Sequence, residues 1–466
     1  MGGGPGGSTC AALLARAGLD VLLLEREVFP RYHIGESLLL SCVPILEMSG
    51  AVDRIADQGF QVKRGAVFHW GSDKWVVDWA SVVAPDARSW QVDRATFDHL
   101  LLRNASDNGV EVIEGAVVKG VDFTDGRATA VRWACRDTPD TVHTTRCDFV
   151  VDATGRNGIL SARQLKNRWQ HTVFQNTAVW SYWTGARLLP EAPEGAVHSL
   201  STGDGWWWAI PLAGDRLSLG HVTHKSRFRE RRPDHGTLDE YYAAKVAESP
   251  TVRWMTEHAV QTGEVRAEQD YSYVAERFSG PGYVMIGDAA CFLDPLLSTG
   301  VHLALFSALA AAASIAAAAK GDAAEGDALA YFERTYRRAY ARLIALVSQL
   351  YENYENKDSY FTKAQRLRTA TSSAHPLIEA FVDISSGNTD MREVADHEVR
   401  VMTESLLQEG ILLQADGRAV AGDVAAVNMS PLRDLWSMLD ADPDGAELRL
   451  VTTPCVGLRP APVSVR

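Results

Sequence analysis

The chain opens MGGGPGGSTCAALLARAGLDVLLLERE, and this stretch restricts its possible folds more than any other. Gly2, Gly4 and Gly7 make G-x-G-x-x-G. Ser8 to Ala17 then reads as a helix, Gly18 as its stop, Val21 to Leu24 as a buried parallel strand and Glu25 as the acid closing that strand. Glycines at these places permit a tight turn and let a pyrophosphate approach the backbone. The helix N-terminus offers N–H groups and positive dipole to the anion. Glu25 is placed to accept hydrogen bonds from a ribose. The pattern is a dinucleotide-binding fingerprint with one part missing. A strand normally precedes the glycines, and here Met1 abuts them, as if the chain were truncated or its start assigned too late. A parallel sheet without that central strand loses backbone partners on both sides, so poor folding is expected.

The rest of the chain distributes the same kind of sheet over separated segments. FPRYHIGESLLL reads as a loop entering a helix near Ser37, with Glu36-Ser37 as its cap. Residues 60–79 alternate as strands around a Gly-Ser-Asp turn, and residues 93–107 read as a helix followed by a strand. CDFVVDATGR is a second buried strand ending in a glycine turn. Residues 172–225 are mostly strand, Val301 to Ala319 is an alanine-rich buried helix and Tyr331 to Tyr354 a long amphipathic one. The nucleotide-binding parts are therefore 1–50, 90–155 and 275–320, inside a unit of 1–350, with a sheet inserted from 60–80 and 172–225. Residues 357–466 form a mixed, partly helical region expected to cover a substrate pocket. This is an α/β fold with an inserted sheet.

Composition removes several functions. A net charge of −13 with no basic cluster argues against nucleic acid. The six cysteines never fall at C-x-x-C spacing, so no metal site is expected, and they fit reduced thiols in the cytoplasm. No signal peptide is visible, and the alanine-rich segment reads as core, not as a membrane span.

One strand is unusual. GDGWWWAIPLAGD places Trp206 and Trp208 on one face and Trp207 on the other, then Ile210 and a proline, Pro211, expected to stop the strand. Together with the fingerprint, Gln91-x-x-Arg94 and Gly287-Asp288, these residues resemble the FAD-binding set of para-hydroxybenzoate hydroxylase-like flavoproteins. Three features narrow the resemblance to flavin-dependent halogenases: Trp206-x-Trp208-x-Ile210-Pro211, Lys63 in VKRGAVFHWG, and the loop Asp294 to Gly300, DPLLSTG.

The resemblance implies a three-layer, Rossmann-like FAD domain with an inserted substrate-side sheet and a mainly helical C-terminal region. It implies that reduced FAD, oxygen and chloride give hypochlorous acid, with chloride held by backbone N–H groups near Thr299 and Gly300. The oxidant would pass through a tunnel to Lys63, as a chloramine or a hydrogen-bonded acid, with Ser298 hydrogen-bonded to Lys63. The tryptophan motif would keep substrate away from the flavin. FAD contacts are implied for Gly2, Gly4, Gly7, Glu25, Glu36, Ser37, Arg94 and Asp288; Asp294 lies near the ring or merely caps its loop. His69 and His302 are expected to be structural.

Two departures matter. Tryptophan-acting halogenases carry a glutamate where this chain has Leu297, which points to a self-activating phenol or pyrrole, free or tethered to a carrier protein. The hydroxylases carry an Asp-Gly pair where this chain reads Ala153-Thr154-Gly155-Arg156, which points to reduced FAD arriving from a separate flavin reductase. The alternatives are an aromatic monooxygenase or flavoprotein reductase of the same fold, and a non-catalytic flavin-binding or carrier-docking protein.

Overall fold

The computed structural model describes residues 1–71, 73–352, 384–395 and 448–460. The glycine loop turns directly into the helix Pro5–Arg16, with Gly4 as its N-cap. The helix starts at Pro5, before the expected Ser8, because a proline at the first helical position sacrifices no hydrogen bond and its fixed φ suits the helix. Gly7 then lies in the first turn, where a Cβ would sit 1.9 Å from the carbonyl oxygen of Gly2.

The strand Leu22–Glu25 pairs in parallel with Glu111–Glu114. A second parallel pair joins Val150–Asp152 to Tyr283–Met285. Met1 and Gly2 lie between the two pairs. The Met1 ammonium donates to the Val151 carbonyl (3.0 Å), Ala153 N–H to the Met1 carbonyl (2.9 Å) and Gly2 N–H to the Leu24 carbonyl (2.8 Å). Met1 and Gly2 thus carry the backbone bonds that link the two parallel pairs.

The helices Arg94–Asp107 and Gly300–Lys320 pack on Pro5–Arg16. Small residues let them approach: a Cβ on Gly6 would lie 3.0 Å from the Ala304 carbonyl oxygen. Gly300–Lys320 is long and apolar enough to cross a membrane, but 89% of its most apolar stretch is buried inside the protein. It also packs against the helix Glu325–Glu352, which begins earlier than the expected Tyr331. An antiparallel meander, Ala116–Thr124, Arg127–Cys135 and His143–Arg146, supplies a further layer. Its Phe123 meets Tyr283 edge-on at 5.9 Å.

A second, larger sheet carries the tryptophans. Its order is Cys291–Phe292, Arg266–Ala275, Arg168–Thr184, Arg216–His224, Gly205–Leu212, Val197–Thr202, Gly65–Trp70 and Asp73–Asp78. It therefore extends past the expected 172–225 to recruit 266–275. Pro211 does not stop its strand, which runs to Leu212. Pro211 pairs only with Leu217, because the neighbour Val197–Thr202 has left the ladder after Ala209. A proline is tolerated where one side needs no N–H. Most of 357–466, expected to cover the site, lies outside the described residues. Within the described part, Asn388–Ala395 is anchored by Asp390 and Glu393, both paired with Arg342 of the long helix.

Candidate active site

A cavity of about 770 Å³ runs between the two sheets. That volume is in the range of small-molecule and cofactor sites. Gly2, Gly4, Gly7, Glu25 and Arg31 line one end; Glu36, Ser37, Arg94 and Asp288 line its middle; Trp206, Trp208, Ile210, Ser298 and Gly300 line the rest. At the glycine end, Glu25 Oε2 accepts from Gly3 N–H at 2.5 Å and Oε1 from Glu27 N–H at 2.8 Å. A carboxylate has about four acceptor sites, so a ribose hydroxyl can still donate. A Cβ on Gly4 would face only Arg31 Nη2, at 3.5 Å. The loop is thus open to an anion with a guanidinium beside it. Sequence reasoning missed Arg31, whose only signal is a basic residue in a loop.

Arg94 secures the loop above the cavity. Its Nε and Nη2 donate to Asp98 (2.8 and 3.0 Å), and its Nη1 donates to the carbonyls of Ile34 (2.8 Å) and Gly35 (3.0 Å). Asp288 faces the cavity, and burial pushes its carboxyl up to about 6 against the pull of Arg156.

Glu36 and Ser37 do not cap a helix. Leu38 N–H donates to the Trp90 carbonyl (3.0 Å) and Val92 N–H to the Glu36 carbonyl (2.7 Å), with a bridge between Ser37 and Gln91. The helix begins at Cys42, after Ser41. Long-range ladder bonds outcompete the local capping signal here. The same short strand, Ser89–Gln91, pairs on its other side with Gln61–Lys63. It therefore brings Ser37 to Lys63.

Lys63 is 1% exposed. Its Nζ donates to Ser37 Oγ at 2.7 Å and to the Leu38 carbonyl at 3.0 Å, and lies 5.1 Å from the Trp79 ring centre. Burial pushes the amine down to about 7, with only a weak opposing pull from the Cys42 thiol. Ser298 is not its hydrogen-bond partner. Ser298 sits in the left-handed region at φ 58° and lines the cavity, while both Lys63 bonds go to residues 37 and 38. Nor does Lys63 line the cavity; Ser37 stands in the wall in front of it.

The tryptophans divide as their alternation predicts. Trp206 and Trp208 face the cavity, with ring centres 6.2 Å apart, while Trp207 packs on the far side against Tyr242 and His221. Trp208 Nε1 donates to Ser218 Oγ (3.2 Å) and Trp206 Nε1 to the Tyr351 hydroxyl (2.7 Å). Asp294 turns away from the cavity. It caps the turn through Leu296 N–H (3.0 Å) and accepts from Asn176 (2.7 Å) and Tyr351 (3.0 Å). Thr299 is buried behind the wall, whereas Gly300 opens on the cavity at the start of the alanine-rich helix. His69 pairs with Glu191 (3.0 Å), and His302 bridges Ser41 (2.7 Å) and Asp390 (2.8 Å) inside the core. Among the described residues no cluster of three or more His, Cys, Asp or Glu could hold a metal.

A glycine-loop cavity between two sheets, lined by Trp206 and Trp208 on its second sheet, is the arrangement of a nucleotide-cofactor enzyme. Comparison with known proteins narrows the class. Residues 1–85 and 76–402 match the tryptophan halogenase family. A tryptophan 2-halogenase of Chondromyces crocatus is 38% identical over 395 residues, which are 84% of this chain and 73% of that protein. The flavin-dependent halogenase armH4 of Armillaria mellea is 38% identical over 386 residues, 77% of this chain and 72% of that protein. The structure of the myxobacterial chondrochloren halogenase CndH, an FAD-dependent halogenase, superposes with a TM-score of 0.72 at 33% identity, covering 87% of this chain and 95% of that one. The chain belongs to the tryptophan halogenase family and is a flavin-dependent halogenase with FAD as its cofactor. Enzymes of this family use a halide as co-substrate and generally draw reduced flavin from a separate reductase.

Proposed function

We propose that this enzyme chlorinates an electron-rich aromatic ring, a phenol or pyrrole, by way of Lys63. The observation that supports this reading is the amine itself: buried, held by a hydroxyl and a carbonyl, with no carboxylate partner among the described residues, directly behind the cavity wall. FAD, reduced by a partner reductase, supplies the two electrons that turn oxygen and chloride into hypochlorous acid. The glycine loop and the N-terminus of Pro5–Arg16 hold its pyrophosphate, Glu25 its ribose and Asp288 its ribityl chain, while Arg94 fixes the loop carrying Glu36 and Ser37. Thr299 and Gly300 present N–H groups at a helix N-terminus, where a halide is favoured. Fixed backbone donors suit this task because they cannot be oxidised. Ser298 shapes that turn by its left-handed backbone. Trp206, Trp208 and Ile210, with Pro211 beside them on the same strand, keep the ring away from the flavin.

Leu297, apolar where tryptophan-acting enzymes carry a glutamate, favours a substrate that activates itself. The name of the Chondromyces relative keeps free tryptophan as the second reading. We place the enzyme in the cytoplasm, with its substrate ring either free or tethered to a carrier protein. The deciding assay supplies reductase, NADH, FAD, oxygen and chloride without substrate, desalts quickly, and adds either a phenol or tryptophan. A chlorinated phenol by mass supports the reading; chlorinated tryptophan alone would replace the substrate class.

The Lys63 environment predicts a pH profile. With the amine near 7, the neutral form that can accept chlorine grows as pH rises. Transfer from the desalted enzyme is expected to climb between about pH 6 and 8, and a flat profile would exclude the chloramine route. In Ser37→Ala the ammonium loses an acceptor, so this limb is expected to move to lower pH. The indole wall makes a third prediction. Trp208→Phe removes the bond to Ser218 and narrows the barrier, and hydroxylated product is expected to appear beside the chlorinated one.

A further inference from the structure

Glu36 contributes a buried carboxyl to the cavity wall that the halogenation scheme does not use. It is 2% exposed and lines the cavity; the Ser218 hydroxyl also faces the carboxyl, and among the described residues Oε2 has no hydrogen-bond partner of good geometry. Its Oε1 accepts from the Tyr182 hydroxyl at 2.7 Å. The Tyr182 hydroxyl lies 3.0 Å from that of Tyr32, which in turn accepts from Trp180 Nε1 at 2.8 Å. Tyr32 is 43% exposed. These contacts fix the direction of the chain. Tyr182 gives its proton to Glu36, so its oxygen is left to accept from Tyr32, and Tyr32 is refilled by water.

We infer that Tyr32, Tyr182 and Glu36 form a proton path from solvent to the flavin cavity. The inference rests on the halogenase reading for its purpose. Oxygen and chloride take two electrons and three protons to give hypochlorous acid and one water. A neutral two-electron, two-proton donor leaves one proton to be found for each turnover. One proton enters at the Tyr32 oxygen. The Tyr32 proton moves to Tyr182, the Tyr182 proton to Glu36 Oε1, and the proton on Oε2 leaves into the cavity. Rotation of the two hydroxyls and of the carboxyl restores the starting state, so one proton is moved and nothing else is consumed. Burial pushes the Glu36 carboxyl up to about 7, against the hydroxyls of Ser218 and Tyr182 and the charge of Arg94, so near neutral pH it can both hold and release a proton. The other charged or titratable groups facing the path are Asp93 near Glu36 and Arg266, 4.0 Å from the Tyr32 ring centre.

The test uses the enzyme with oxidised FAD bound, and then the turning-over enzyme. In the first, infrared spectroscopy follows the protonated Glu36 carbonyl band, assigned by its loss in Glu36→Gln, after mixing into D2O. Tyr182→Phe is expected to slow deuterium uptake at that band by about tenfold or more, and to let the band persist to higher pH because the carboxylate has lost a donor. In turnover, Tyr182→Phe is expected to lower chlorination by about 10²-fold, with much of the loss recovered on adding a small diffusible acid such as formic acid at mildly acidic pH. Tyr32→Phe, at the exposed mouth, guards against a folding defect and should show the same rescue with a smaller loss. Unchanged deuterium uptake in Tyr182→Phe, or a rate loss that no small acid relieves, overturns the path. If the wild type does not chlorinate at all, the functional reading falls, while the deuterium measurement still decides whether protons travel this way.

Discussion

Lys63→Met is expected to lower chlorination by about 10³-fold while FAD still binds, because proton and group transfer by one positioned side chain is worth about 10²–10⁴. Methionine keeps the length of the lysine stem and removes the reactive nitrogen, with a thioether sulfur in place of Cδ, so free oxidant is counted together with any sulfoxide found at position 63. The strand Gln61–Lys63, its pairing to Ser89–Gln91 and the packing on Trp79 should survive. FAD binding should survive too, since Lys63 does not line the cavity and the flavin would touch Ser37 instead. The measurement is chlorinated phenol per flavin oxidised, with hypochlorous acid escaping to solvent trapped separately. Lost product with undiminished free oxidant would place the lysine after oxidant formation. Wild-type product yields in Lys63→Met would remove it from the reaction.

The second large effect is expected at the glycine loop. In Gly7→Ala the new methyl would sit 1.9 Å from the Gly2 carbonyl oxygen, and backbone on both sides would have to move. Overpacking of this kind destabilises by about 1–3 kcal/mol and occasionally more. Moving Gly2 also disturbs its bond to Leu24, so both folding stability and FAD affinity should fall together. Gly4→Ala separates the two. Its methyl meets only the end of Arg31, at 3.5 Å, so the melting temperature should hold while FAD binds more weakly. Equal flavin affinity in Gly4→Ala and wild type would show that this loop does not receive the pyrophosphate.

The sequence made some of this legible and hid the rest for physical reasons. The glycine spacing, Glu25 and the tryptophan alternation are local, period-driven signals, and each side chain lies where its period puts it. The partner of Lys63 was misplaced. Ser298 was expected from the loop pattern, but Ser37 holds the amine, through a three-residue strand at 89–91 that no local pattern links to both segments. Residues 36–37 looked like a helix cap because serine preceded an apolar run, and ladder bonds decided otherwise. For Asp294 two places were open, near the ring or as a cap of its loop; it caps the loop, and Asn176 and Tyr351, from distant parts of the chain, turn it inward. Such contacts depend on which strands become neighbours, and a linear reading does not order the strands of so large a sheet.

The buried amine also bears on how long the protein lasts. In the unfolded chain Lys63 keeps its proton to its ordinary 10.5; in the fold it loses it near 7. Between those pH values the unfolded chain binds the extra proton, so folding stability rises with pH across that window. Below about 7 the fold carries the full handicap, on the order of 1.4 kcal/mol for each unit of displacement. An apolar side chain of the same length removes it, less about 1–3 kcal/mol for the Leu38 carbonyl left without a donor. The inactive Lys63→Met should therefore melt higher than the active enzyme at pH 6, with the gap closing as the buffer turns alkaline. The residue proposed to do the chemistry is one the core would be sturdier without, so durability and halogenation are opposed at a single side chain.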